Sequence, residues 1–285
     1  MRWPCVLFIL KVAAASLLGG VIGAISGLGG GIVIVPVLTL FLRIPVEQAI
    51  GASVVSVIAV SSGAGSVYVR DHITNVRIAM FLNFFTVVGA ILGAGVLVKF
   101  LNDNRLEILF GLTLLLSLLP LLARMAEELP RGVKKDDRLA RWLQMRGSYF
   151  DQRLQREVPY WAERIPTASG VMTVAGLMAG ILGIGAGVLK VLALETGMRL
   201  PVKVSTATSN FMIGVTAAAA AGVYLHRGLV LPFVVVPVAA SVLLGALLGT
   251  KMMERMSNVL VRKIFAVALL VMGVQMLLSG LGMTV

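Results

Sequence analysis

Cysteine, histidine and charge are all scarce in this chain of 285 residues. Cys5 is the only cysteine, which excludes an internal disulfide and a thiolate metal cluster. The two histidines, His72 and His226, sit in short turns between apolar runs, with no second nitrogen or carboxylate at ligand spacing, so no metal is expected. Charged residues make up only 13% of the chain against 58% hydrophobic, with a mean hydropathy of +0.97, too little polar surface to cover a soluble globule. Outside residues 124–165 the carboxylates are Glu47, Asp71, Asp103, Glu107, Glu195 and Glu254, all at or near the ends of apolar runs. A path for protons or cations lined by mid-membrane carboxylates is therefore not indicated. The serines lack His and acid partners, and the Gly-rich stretch from Gly27 to Gly31 lacks the strand and lysine of a nucleotide loop. An enzyme is not expected, and no cofactor is implied.

What the chain does have is long apolar runs. Ala49–Val69, Ile78–Phe100, Leu106–Ala123, Val204–Leu225, Leu229–Thr250 and Val259–Leu281 are each close to the about 20 residues that cross a bilayer as a helix. Without alternating polar positions they read as helices rather than barrel strands, so the fold class is an all-α integral membrane protein. The formal charge of +12 would raise nucleic-acid binding in a soluble protein, but here the basic residues cluster at span ends. Topology and anionic lipid account for them, and no nucleic-acid partner is expected. Lys11 interrupts the apolar core of the first residues, which read as an uncleaved start of the first repeat rather than a signal peptide.

The chain also repeats itself. Gly27-Leu28-Gly29-Gly30-Gly31 matches Gly183-Ile184-Gly185-Ala186-Gly187, and Arg43-Ile44-Pro45-Val46 matches Arg199-Leu200-Pro201-Val202. At the same offset of 156 residues Ser53 falls on Ser209, Tyr68 on Tyr224, Gly89 on Gly245 and Gly93 on Gly249. Two copies of one hydrophobic unit, each opening on an interrupted Gly-rich segment, point to a transporter with its site between the copies. The expected domains are a membrane repeat over 1–123, a charged cytoplasmic linker over 124–165 and a second membrane repeat over 166–285.

The interrupted segments, Val12–Leu42 and Thr167–Met198, are longer than one straight span. Adjacent glycines free backbone groups that need protein or water partners at membrane depth, so each segment is expected to break or to be re-entrant. A small-residue stripe at Gly19, Gly23, Gly27 and Gly31 is the packing alternative. If each segment returns as a hairpin, three full spans remain per repeat. Arg199, Lys203, Lys251, Arg255, Arg262 and Lys263 then join the basic linker, Arg70 and Arg77 on one side. That arrangement gives the larger positive-inside excess and favours inverted repeats with a cytoplasmic linker. The linker, with Trp142, Tyr149, Phe150, Tyr160 and Trp161, reads as a partly helical amphipathic segment on the membrane surface or as a solvated connection.

Cations and helix starts are the features that suit a ligand. Arg43 and Arg199 each precede a proline, Pro45 and Pro201, of the kind that opens a helix with free N–H groups. Ser53 and the run Ser205-Thr206-Ala207-Thr208-Ser209-Asn210 add donors just inside those helices. Lys190 lies three residues past the second Gly cluster, where the first copy has Ile34, and needs water, a carboxylate or an anion beside it. Glu195 is one candidate partner. The candidate substrate-binding set is Gly29, Gly30, Gly31, Ser53, Gly185, Gly187, Lys190, Thr208, Ser209, Arg43 and Arg199.

At these residues the chain resembles the TauE/SafE family, the sulfite exporter and organosulfonate permease group. The likeness lies in Gly23-Ala24-Ile25-Ser26-Gly27-Leu28-Gly29-Gly30-Gly31, Val35-Pro36-Val37-Leu38, the stretch from Pro45 through Ser53, and Ala207-Thr208-Ser209-Asn210-Phe211. It covers both repeats, and two departures stand out: the second cluster has Ala186 and Lys190 with no proline at Leu192, and the linker is long and charged. The resemblance implies movement of sulfite, thiosulfate or a small sulfonate across a bacterial inner membrane by alternating access. A coupling ion and a homo-oligomer stay open, beside lipid contact. A channel or a non-transporting accessory protein is the alternative.

Overall fold

The computed structural model describes residues 3–26, 30–123, 138–151, 155–255 and 258–283. Helix α1 (Trp3–Ser26) runs up to the first Gly cluster, and α2 (Gly31–Pro36) follows it, prolonged by a π-helical turn over Val37–Phe41. Then come α3 (Val46–Arg70), α4 (Val76–Gly95) with a short 3-10 turn after it, and α5 (Asp103–Ala123). The connecting region holds α6 (Arg138–Trp142) and a hairpin of β1 (Arg146–Asp151) and β2 (Arg156–Trp161). Next are α7 (Ile165–Leu182), α8 (Gly187–Leu192) with its own π-helical turn over Ala193–Gly197, and α9 (Val202–His226). Helices α10 (Pro232–Arg255) and α11 (Asn258–Gly280) complete the order.

Three consecutive elements recur at one offset. Displaced by 156 residues, the bounds of α2, its π turn and α3 become those of α8, its π turn and α9. Local chemistry recurs with them. Pro45 and Pro201 stand at the N-cap, one residue ahead of the first helical position where the sequence placed them. The carbonyls of Leu38 and Leu194 each accept from the amide six residues on, Ile44 and Leu200, both at 3.0 Å. Tyr68 Oη donates to the Ala24 carbonyl and Tyr224 Oη to that of Gly180, residues again 156 apart.

Packing crosses between the halves. Helix α1 lies along α10 and α4 along α7, seated by glycines whose missing Cβ lets backbones touch: Gly20 against the Val242 carbonyl, and its counterpart Gly176 against that of Thr86. Helix α3 crosses α9 and the two run antiparallel. Gly51, early in α3, meets the Leu229 carbonyl just past the end of α9, while the amide of Asn75, just past α3, donates to Thr208 Oγ1 early in α9 at 3.1 Å. Helices α5 and α11 are antiparallel as well, with Gly111 against Gly273 and Gly280 against Asn104.

Among the described residues five helices are long and apolar enough to cross a membrane: α3, α4, α7, α9 and Pro232–Met252 of α10. Four of these are runs expected from the sequence. The fifth, α7, is the first arm of the second interrupted segment. That segment comes back to the end where it started, because the amide of Glu163 donates to the Met198 carbonyl at 3.2 Å. The first segment also folds back, with Val33 and Ile34 of α2 against Gly19 of α1. Large apolar side chains such as Phe84, Val236 and Val267 stay more than 60% exposed on the bundle's outside, as a lipid-facing surface requires.

The connecting region, expected as a partly helical amphipathic segment on the membrane surface or as a solvated connection, holds a strand pair that neither expectation included. Its described part is a five-residue helix and an antiparallel hairpin, the exception to helix among the described residues. Alternation decides it: Tyr149, Val158 and Tyr160 point inward while Phe150 and Pro159 point out. The inward set packs on Ile78, Leu82, Ile165, Leu194 and Met198 at one end of the bundle. Arg77 fixes it by donating to the Gln144 carbonyl and Oε1 at 3.0 and 3.1 Å, and Asn75 Nδ2 reaches Tyr160 Oη at 3.1 Å. Asn75 also caps α4 through Oδ1, which accepts from the Ile78 amide at 3.1 Å.

Candidate functional site

The two Gly-rich tips meet beside the crossing of α3 and α9. Gly30 opens α2 with φ +70°, and its counterpart Ala186 opens α8 with φ +45°, both in the left-handed region that lets the chain reverse between the arms. A Cβ on Gly31 would lie 2.5 Å from Ser53 Oγ and 3.1 Å from both the Gly183 carbonyl and the Ile184 Cα. Ser53 Oγ donates to that Gly183 carbonyl at 2.8 Å, so one hydroxyl of α3 ties the first tip's neighbourhood to the second tip. On the other side Ser209 Oγ faces the Gly187 carbonyl at 3.5 Å. Asn210 Nδ2 donates to the Ala24 carbonyl at 3.1 Å, which already accepts from Tyr68. The Asn210 Oδ1 is buried with no partner among the described residues.

Lys190 is completely buried on α8. Its Nζ donates to Thr216 Oγ1 of α9 at 2.7 Å, so a hydroxyl and not the Glu195 carboxylate takes that bond. An ammonium held in this way is expensive to bury, because one neutral acceptor replaces little of its lost hydration. A negative partner would offset the cost.

Of the residues expected in the site, Gly30, Gly31, Ser53, Gly185, Gly187, Ser209 and Lys190 lie on the two tips or on the helix turns facing them. Gly185 packs on Ile213 and Val57 at the same crossing. Gly29 lies outside the described residues. Thr208 is buried but turned toward the hairpin end, where it accepts from the Asn75 amide. The arginines stand apart from the tips. Arg199 pairs with Glu163 at 3.3 Å beside the hairpin, and Arg43 is exposed in the turn before α3. Asn83, Thr86 and Thr216 join Lys190 in a polar chain that sequence reasoning missed. The available signal was a mismatch between copies, since their counterparts are Ala239, Val242 and Val60.

At the hairpin end an open cavity of about 740 Å³ is lined by His72, Asn75, Arg77, Arg146, Tyr160 and Trp161 among others, with no carboxylate among its lining residues. Arg146 stacks over the Trp161 ring at 5.4 Å. Burial pushes the Tyr160 phenol above its ordinary range, and the hydrogen bond from Asn75 works against that rise.

Comparison with known proteins places these features in context. The model of the family described as sulfite exporter TauE/SafE matches residues 12–276. A curated relative, the "Probable membrane transporter protein YunE" of Bacillus subtilis (strain 168), is 25% identical over 272 residues, covering 93% of this chain and 96% of its own length. No solved structure matches the chain.

Proposed function

The chain belongs to the sulfite exporter TauE/SafE family and is a multi-pass membrane transporter, and from that premise we propose that it moves a small sulfur oxyanion or sulfonate by alternating access between two inverted repeats. The observation that carries this reading is the meeting of the two Gly-rich tips at the α3–α9 crossing, with the buried Lys190 on the second tip's own helix. Backbone at the tips, Ser53 and Ser209 supply neutral donors, and Lys190 supplies charge. Arg43 and Arg199 act at the two mouths, where they draw the anion in before it reaches the tips.

Inversion is supported by geometry. The antiparallel meetings of α3 with α9 and of α5 with α11 support a two-fold that relates the halves, crosses those helices and lies in the membrane plane. The end that carries the hairpin also carries Arg77 and Arg199, as the hairpin-type charge count requires. That end is the cytoplasmic one by the positive-inside rule, and the membrane is the bacterial inner membrane.

Counterflow in proteoliposomes tests the function. Vesicles preloaded with unlabelled sulfite, thiosulfate or methanesulfonate should take up the labelled anion transiently and saturably. Linear, unsaturable uptake would indicate a channel, and no flux of any of the three would indicate an accessory protein; either result contradicts the proposal.

A further inference from the structure

The packing of this molecule is two-fold and its buried polarity is not. From Lys190 a chain of contacts crosses two helices: Nζ to Thr216 Oγ1 at 2.7 Å, Thr216 Oγ1 to Thr86 Oγ1 at 3.1 Å, and Thr86 Oγ1 to Asn83 Oδ1 at 3.3 Å. All four side chains are buried, Asn83 the least so at 4% exposed. The matching positions of the other repeat hold Ile34, Val60, Val242 and Ala239. Bundle packing alone is therefore met by apolar side chains at these places, and the polar set is an addition to one side.

Several donors of the cluster have no acceptor among the described residues. Lys190 carries three N–H groups, one directed at Thr216, and Asn83 Nδ2 carries two with no partner among the described residues. Each threonine hydroxyl can also send its one proton to a backbone carbonyl, Thr216 to that of Met212 at 2.9 Å and Thr86 to that of Asn83 at 3.1 Å. Among the described residues no carboxylate pairs with Lys190. Buried unused N–H groups beside an amine that an anion would hold in its charged form are satisfied by a compact acceptor with several lone pairs and a negative charge, which is an oxyanion.

We infer that the oxyanion head of the substrate binds off the pseudo-two-fold axis, in this cluster, with Lys190 as its single counter-charge and Asn83 Nδ2 as a neutral donor, and that monoanions are preferred to dianions. The inference rests on the anion-transport reading and narrows it. One lysine balances one charge, and a dianion would carry its second charge uncompensated into a low-dielectric interior. The apolar counterparts in the other repeat offer no second cationic position.

Equilibrium binding and melting of the full chain in lipid nanodiscs test it at pH 6, with methanesulfonate as the monoanion and thiosulfate as the dianion. Methanesulfonate should bind at least tenfold more tightly than thiosulfate. Lys190→Met should weaken methanesulfonate at least tenfold. Asn83→Leu should melt at or above the unsubstituted protein, because an unpaired buried donor is gone, while binding about fivefold more weakly or worse. Unchanged affinity in both variants, with anion binding intact, overturns the assignment and leaves the tips as the site. Tighter thiosulfate binding overturns the charge argument. If neither anion raises the melting temperature of the unsubstituted protein, the anion-transport reading fails and this inference with it.

Discussion

Gly31 is the residue on which the tip geometry can be tested with least collateral damage. Gly30 is a poorer probe: its φ of +70° and a Cβ position 2.9 Å from the Gly19 carbonyl mean that any side chain there strains the fold itself. At Gly31 the backbone is ordinary helix and the crowding falls on Ser53 and the second tip. Gly31→Ala should therefore cut counterflow at least tenfold while far-ultraviolet circular dichroism stays unchanged; normal flux would make the Gly cluster mere packing. At this scale the sequence was informative where the copies agree, as at Ser53 and Ser209, and where a single charge breaks the pattern, as at Lys190. Asn83, Thr86 and Thr216 were illegible because they lie on two helices far apart in sequence. Only the crossing of those helices brings them to Lys190.

Among the elements, the helices followed from long apolar runs, whereas the hairpin did not. Its strands are six residues each, too short for their alternation to stand out against the dense charge around them. The re-entrant return of the second segment was open in the sequence, since Gly clusters permit a break or a reversal; the Glu163–Met198 contact is tertiary. The hairpin lies outside the membrane spans, so its chemistry can be titrated. Tyr160 has its phenol raised by burial, so its neutral form stabilises the docked hairpin below the ordinary phenol range. That contribution is lost as pH rises through the raised value. Trp161 fluorescence should report undocking in strongly alkaline buffer, and Tyr160→Phe should abolish that pH dependence. An identical alkaline transition in the Phe variant would remove Tyr160 from the docking.

Taken as a whole molecule, the chain is two interleaved halves, each lending its first helix to the other: α1 to α10 and α7 to α4. Interleaving of this kind makes the tips the place where a rocking of one half against the other is felt, since Ser53 of the first half holds Gly183 of the second. Alternating access between the halves requires these tips to part and rejoin in every transport cycle. A reversible bridge between them tests it directly: the double variant Ser53→Cys and Ile184→Cys, in a Cys5→Ser background, joined by a short bis-methanethiosulfonate reagent and verified by mass spectrometry. Anion counterflow should stop when the bridge is in place and return when a reductant removes it. Undiminished counterflow through the bridged protein would rule out that motion.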